Sequence, residues 1–113
     1  MHELSIAEGM LQVVEDAARR NAARKVAAVT IEIGALAPVE REALSFCFEA
    51  ITRGSIAEGA RFDIVKTPGA AWCRHCDQQV ALAALGEPCP LCGGYQLEVV
   101  QGNEMRVREI EVA

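Results

Sequence analysis

Four cysteines in the second half of the chain stand as two pairs, Cys73-Arg74-His75-Cys76 and Cys89-Pro90-Leu91-Cys92. Two residues between thiolates let both sulfurs of a pair point at one ion. Two such knuckles close a tetrahedron around Zn²⁺ at Zn–S distances of about 2.3 Å. The full pattern is C-x2-C-x12-C-x2-C, and its gap is long enough for a small hairpin. Four thiolates leave no open coordination position, so a metal held by Cys73, Cys76, Cys89 and Cys92 fixes shape and does no catalysis. The fifth cysteine, Cys47, sits between Phe46 and Phe48 and reads as a small buried hydrophobe.

A second set of donors lies at the other end of the chain. The α-amine of Met1, the amide nitrogen and imidazole of His2 and the amide nitrogen of Glu3 can chelate one ion in fused rings. Once the amides lose their protons to the metal, such a set favours square-planar Ni²⁺ or Cu²⁺ over tetrahedral Zn²⁺. Methionine aminopeptidases need a small second residue, so His2 is expected to leave Met1 in place. The Glu3 carboxylate is adjacent and can orient the imidazole through its other ring nitrogen. Against this, a histidine near a terminus is more often a frayed, solvated side chain. His75 reads as an exposed turn residue, because four thiolates already fill the tetrahedron. Glu40, Glu42 and Glu49 read as a solvated helix face.

The elements that must position these groups follow from periodicity. Residues 5 to about 22 predict a helix: Ser5 and Glu8 form an S-x-x-E capping box, and Ile6, Met10, Val13, Val14 and Ala17 make one apolar stripe. Arg19 and Arg20 suit the negative end of its dipole, and Asn21 can stop it. Residues 26–33 alternate as a strand, with Val29, Ile31 and Ile33 on one face. A second helix is expected from about Val39 to Thr52, burying Leu44, Cys47, Phe48 and Ile51. Residues 60–66 predict a second strand, and 104–112 a third. In that last strand Met105 and Val107 share one face while Ile110 and Val112 share the other, so either a bulge near Arg108-Glu109 or burial on both faces is expected.

These elements predict an α+β fold in which two helices pack on a small three-stranded sheet, with a zinc-ribbon-like module inserted between two of its strands. The expected division is residues 1–68 and 103–113 for the α+β domain and 69–102 for the zinc module. Gly93-Gly94 suit the tight backbone of a knuckle.

Composition narrows the function. The chain of 113 residues has a formal net charge of −5, and four thiolates with one Zn²⁺ take it to −7. Such an acidic chain is a poor match for a phosphate backbone, so no nucleic acid partner is expected. No apolar run approaches a membrane span, and the opening residues lack a secretory signal, which predicts no membrane partner and a cytoplasmic location. No catalytic triad, phosphate loop or paired catalytic carboxylates can be picked out, so a non-enzyme is expected. Two rivals stay open on these grounds: a zinc-ribbon interaction module for protein or nucleic acid, and a thiol–disulfide enzyme.

Taken together, several segments resemble a known family. They are Met1-His2-Glu3, the first helix with Ser5, the strand Val29-Thr30-Ile31-Glu32-Ile33-Gly34, and Val39-Glu40 with Leu44-Ser45-Phe46-Cys47-Phe48. The two CxxC pairs and the closing run Glu104 to Val112 complete the set. The chain is similar to the HypA/HybF family of nickel metallochaperones for [NiFe]-hydrogenase maturation. That resemblance implies Ni²⁺ as cargo at His2, with main-chain nitrogens of Met1, His2 and Glu3, and structural zinc on Cys73, Cys76, Cys89 and Cys92. It also implies a maturation GTPase and the [NiFe]-hydrogenase large subunit as partners, with urease served by some members. A monomer or weak homodimer is expected. Relatives often place aromatics between the two CxxC pairs, where this chain has Val80, Leu82 and Leu85.

Overall fold

Helix α1 (Glu3–Arg20) buries Ala7, Met10, Val14 and Ala18, a stripe with spacings of three and four residues. The stripe is rotated from the one predicted by the larger side chains. Val13 is exposed, and Ile6 and Ala17 sit half-buried at its edge. Helix α1 packs against α2 (Arg41–Ile51). Helix α1 extends back to Glu3, so Ser5 lies inside its first turn and caps nothing. A carboxylate in that turn suits the positive end of the dipole. At the other end the Asn21 side-chain amide donates to the Ala17 carbonyl at 2.7 Å, closing off the last turn as expected. The computed structural model describes residues 3–113.

Helix α2 starts where Glu40 caps it. The Glu40 carboxylate accepts the N–H groups of Glu42 at 2.8 Å and Ala43 at 3.1 Å. Two otherwise unpartnered donors of the first turn are thereby satisfied. Leu44 and Phe48 are buried, while Cys47 and Ile51 are half-buried and Phe46 is exposed. Cys47 lies about 100° around the helix from Phe48, at the margin of the buried face. It is therefore not the fully buried hydrophobe that its neighbours suggested.

Strand β1 (Val26–Gly34) is the centre of a sheet ordered β2-β1-β6, with β2 at Arg61–Thr67 and β6 at Met105–Val112. Both faces of β1 carry buried residues, Val29, Ile31 and Ile33 on one and Ala28 on the other. Phe48 of α2 stacks on Phe62 of β2 with ring centroids 4.3 Å apart. Strand β6 returns to lie beside β1, as the closing run predicted. Its half-buried residues are Val107 and Ile110. They are three apart, so a regular strand sends them to opposite faces.

A second sheet, not foreseen as strands, is ordered β4-β3-β5, with β3 at Ala70–Cys73, β4 at Gln78–Ala81 and β5 at Leu97–Gln101. Both pairings are antiparallel, with Cys73 opposite Gln78 on one side and Leu97 on the other. Ala71, Leu82 and Leu36 form one buried cluster with Leu97 and Val99 against it. The architecture is thus α+β, two helices with small sheets. Among the described residues no helix is long and apolar enough to cross a membrane.

Two compact units can be distinguished. One comprises the chain through Ile31 with Val39–Val65 and Arg106–Ala113; the other comprises Glu32–Pro38 and Lys66–Met105. Within the second unit the backbone crowds at three glycines. A Cβ added at Gly34 would lie 1.9 Å from the Gly102 carbonyl oxygen, and one at Gly69 would lie 2.3 Å from that of Leu82. Both obstacles are backbone atoms, which cannot swing aside as a side chain would.

This contrast yields a paired expectation. Gly34→Ala should cost at least about 2 kcal/mol, the upper part of the range for overpacking. Gly9→Ala, in α1 with nothing within 4 Å of the new methyl, should gain about 0.5–1 kcal/mol. Urea unfolding checks both; equal midpoints for the two variants would contradict the crowding.

Candidate metal centre

Cys73 ends β3, and Cys76 follows across the turn that leads to β4. Cys89 and Cys92 lie on the irregular segment before β5. The fold brings the four together: their sulfur atoms all lie within 4.8 Å of one another. Cys73 and Cys92 are 3.7 Å apart, sulfur to sulfur, and Cys76 and Cys89 are 4.0 Å apart. A tetrahedron with Zn–S bonds of about 2.3 Å has edges of about 3.8 Å, which these two edges match, so the donor set fits Zn²⁺. Bound there, zinc would supply a cross-link between the two cysteine pairs, with no vacant position for a substrate.

The two pairs are built alike. The residue after each second cysteine takes a left-handed conformation, Asp77 at φ 56° and Gly93 at φ 75°. Each donates its N–H to the carbonyl of the first cysteine of its pair at 2.8 Å, Asp77 to Cys73 and Gly93 to Cys89. Glycine adopts that conformation freely, and aspartate is among the few other residues that tolerate it. The sequence pointed to Gly93; Asp77 performs the same backbone turn without glycine as a signal. Three further N–H groups are aimed at sulfur, each at 3.4 Å: Cys76 at Cys73, Leu91 at Cys89 and Gly94 at Cys92. Such donors favour the thiolate form that a metal requires.

Packing fixes one side of the cluster. Cys73 and Cys89 are buried with Val80, and Cys76 and Leu97 pack against them. Val80 and Leu82 therefore fill the interior as aliphatic residues, while Leu85 is exposed. His75 is exposed in the turn.

The thiols of Cys76 and Cys89 are pushed in opposite directions. Burial, together with the sulfurs of Cys92, Cys73 and Cys89, pushes the Cys76 thiol up to about 12. Burial also raises Cys89, but backbone N–H groups of Cys92 and Leu91, aided by the Cys73 and Cys92 thiols, outweigh it and hold it at about 7. One corner thus ionises readily while another keeps its proton, and a divalent cation resolves the conflict.

At the other candidate site, Met1 and His2 lie outside the described residues. Glu3 is described: its carboxylate accepts the Glu40 backbone N–H at 3.0 Å. Glu40, expected only on a solvated face, is therefore both the α2 cap and the partner of Glu3. The partnership with Glu3 had no sequence signal, because it joins residues 37 apart, whereas the cap is a local contact with the N–H groups two and three residues on.

Residues 1–112 match the family model described as "Hydrogenase/urease nickel incorporation, metallochaperone, hypA". The chain is 55% identical over 112 residues to "Hydrogenase maturation factor HypA" of Albidiferax ferrireducens, covering 99% of each chain. It is 54% identical over the same length to the protein of that description from Dechloromonas aromatica, again covering 99% of each. Its structure is similar to the solution structure of the Ni metallochaperone HypA from Helicobacter pylori, with a TM-score of 0.72 and 28% identity over 99% of this chain and 97% of that one.

Because Cys76 must lose a proton held up to about pH 12 before it can bind metal, zinc uptake at neutral pH should release protons. Zinc affinity should accordingly rise with pH and fall as pH drops. Competitive chelator titrations at several pH values check the sign; a pH-independent affinity between pH 6 and 8 would contradict it. Cys73→Ala should lose zinc and lower thermal stability, whereas full zinc stoichiometry in that variant would contradict a four-sulfur site.

Proposed function

The chain belongs to the HypA family of nickel metallochaperones for hydrogenase maturation, and from that premise we propose that it carries Ni²⁺ on its first three residues. His2 is the key ligand, with main-chain nitrogens of Met1, His2 and Glu3. Cys73, Cys76, Cys89 and Cys92 hold a structural zinc. The observation that carries this reading is the match over residues 1–112, which includes both the Met1-His2-Glu3 opening and the two cysteine pairs.

The chemistry of the two donor sets supports the division. An amine, deprotonated amides and an imidazole form a nitrogen set suited to planar Ni²⁺, whereas four thiolates suit tetrahedral Zn²⁺. The hydrogen bond from Glu40 N–H to the Glu3 carboxylate supports it as well, since it ties the residue following His2 to the α2 cap. Delivery then needs ligands that can be replaced one at a time by an acceptor. A terminal nitrogen set meets that need better than an enclosed one.

The role proposed is carriage of the ion, not catalysis. The proposed partners are the GTPase of the nickel-insertion pathway and the [NiFe]-hydrogenase large subunit, within the cytoplasm, with urease as a further acceptor.

His2→Ala should abolish nickel binding and leave zinc content and unfolding temperature unchanged. An unaltered nickel affinity in calorimetric titration would contradict the assignment. Any residue placed before Met1 removes the free amine from the chelate and should weaken binding; equal affinity with and without it would point to imidazole ligation alone.

A further inference from the structure

The four cysteines differ sharply in their exposure as residues. Cys73 is 0% exposed and Cys89 is 2% exposed, each packed in the apolar cluster with Val80 and Leu97. Cys76 is half-buried, and Cys92 is exposed. Its surroundings share that exposure: Pro90, Leu91 and Gly93 are all exposed. Of the four, Cys92 is the cysteine on the solvent side of the cluster. The sulfur of Cys73 stands 3.7 Å behind it.

Reactivity adds to access. Metal binding keeps the cysteines as thiolates, and the thiolate is the nucleophile. Oxidation of a thiolate by peroxide gives a sulfenic acid, which condenses with a neighbouring thiol.

We propose that Cys92 is a modification site through which hydrogen peroxide opens the zinc centre, closing a Cys73–Cys92 disulfide and releasing the metal. The Cys92 thiolate attacks one peroxide oxygen; an S–O bond forms, the O–O bond breaks and hydroxide leaves. The Cys73 thiolate then attacks the sulfenic sulfur, forming the S–S bond and expelling a second hydroxide. Each sulfur gives up one electron, and one peroxide is reduced to two hydroxide ions. The sulfurs need to close from 3.7 Å to about 2.05 Å. Two thiolates, Cys76 and Cys89, are then left for zinc, too few for a closed tetrahedron. Reduction by a dithiol restores all four. The inference rests on the four-cysteine zinc reading.

The test uses the full chain as purified with zinc, in a Cys47→Ala background that removes the fifth thiol. Zinc content is first measured by elemental analysis. The protein is then treated with limiting hydrogen peroxide, released zinc is followed with a chromogenic chelator, and linkages are mapped by mass spectrometry after alkylation without reduction. The expected result is one zinc lost per Cys73–Cys92 disulfide, recovered on adding dithiothreitol and zinc. In a brief pulse of N-ethylmaleimide on the zinc-loaded protein, Cys92 should be the first cysteine labelled. A dominant Cys76–Cys89 linkage, or first labelling at Cys76, would overturn the proposal while leaving the zinc site standing. A protein purified without zinc, and unable to take it up, would overturn the zinc reading and the inference together.

Discussion

Four sulfur atoms cannot share a space in which all lie within 4.8 Å of one another unless protons or a cation compensate them. In this protein the backbone makes that gathering unavoidable. Two left-handed turns, at Asp77 and Gly93, bend each cysteine pair inward, and five N–H groups close on carbonyl or sulfur acceptors around them. Sheet β4-β3-β5 seals Cys73 and Cys89 from behind with Val80 and Leu97. The apolar clusters of this unit are small, and a metal cross-link is the usual supplement to a core of that size. Removal of the cation would leave like charges pressed together or protons on sulfurs that have few partners for them.

The same constraint separates the two metals by chemistry. A closed sulfur tetrahedron has nothing to offer a passing ion and no position to release one from. Nickel in transit calls for a different donor set, and the nitrogen groups of the first three residues are the set proposed for it. Glu40 is the structural element that serves this end of the chain. As the α2 cap it satisfies two helical donors, and its own N–H is taken by Glu3. One residue thereby joins the start of α1 to the start of α2, two helices that pack on each other.

Much of the fold could be read from the sequence, for a local reason. Knuckle spacing, the periodicity of α1 and α2, and the alternation in β1 are all written within a few residues of each other. The failures have long-range or backbone causes. Strands β3 and β4 are four residues long, too short for alternation to register. The buried stripe of α1 runs through Ala7 and Ala18, which side-chain volume alone does not announce. Ser5 matched a capping box, yet the helix begins at Glu3, whose carboxylate is engaged by Glu40. Asp77 carried no turn signal, and its role emerged only beside Gly93. For the candidate site, the four cysteines that the fold brings together were legible in their spacing, and their graded exposure from Cys73 to Cys92 was not, since burial is decided by β3, β4 and β5 together.

The central claim is that sulfur and nitrogen donors serve different ions in one chain. X-ray absorption at the zinc and nickel edges of the untagged protein, loaded with both metals, tests it most directly. The account predicts a zinc shell of sulfur alone at about 2.3 Å and a nickel shell with no sulfur in it. Sulfur scattering at the nickel edge, or nitrogen replacing sulfur around zinc, would contradict it.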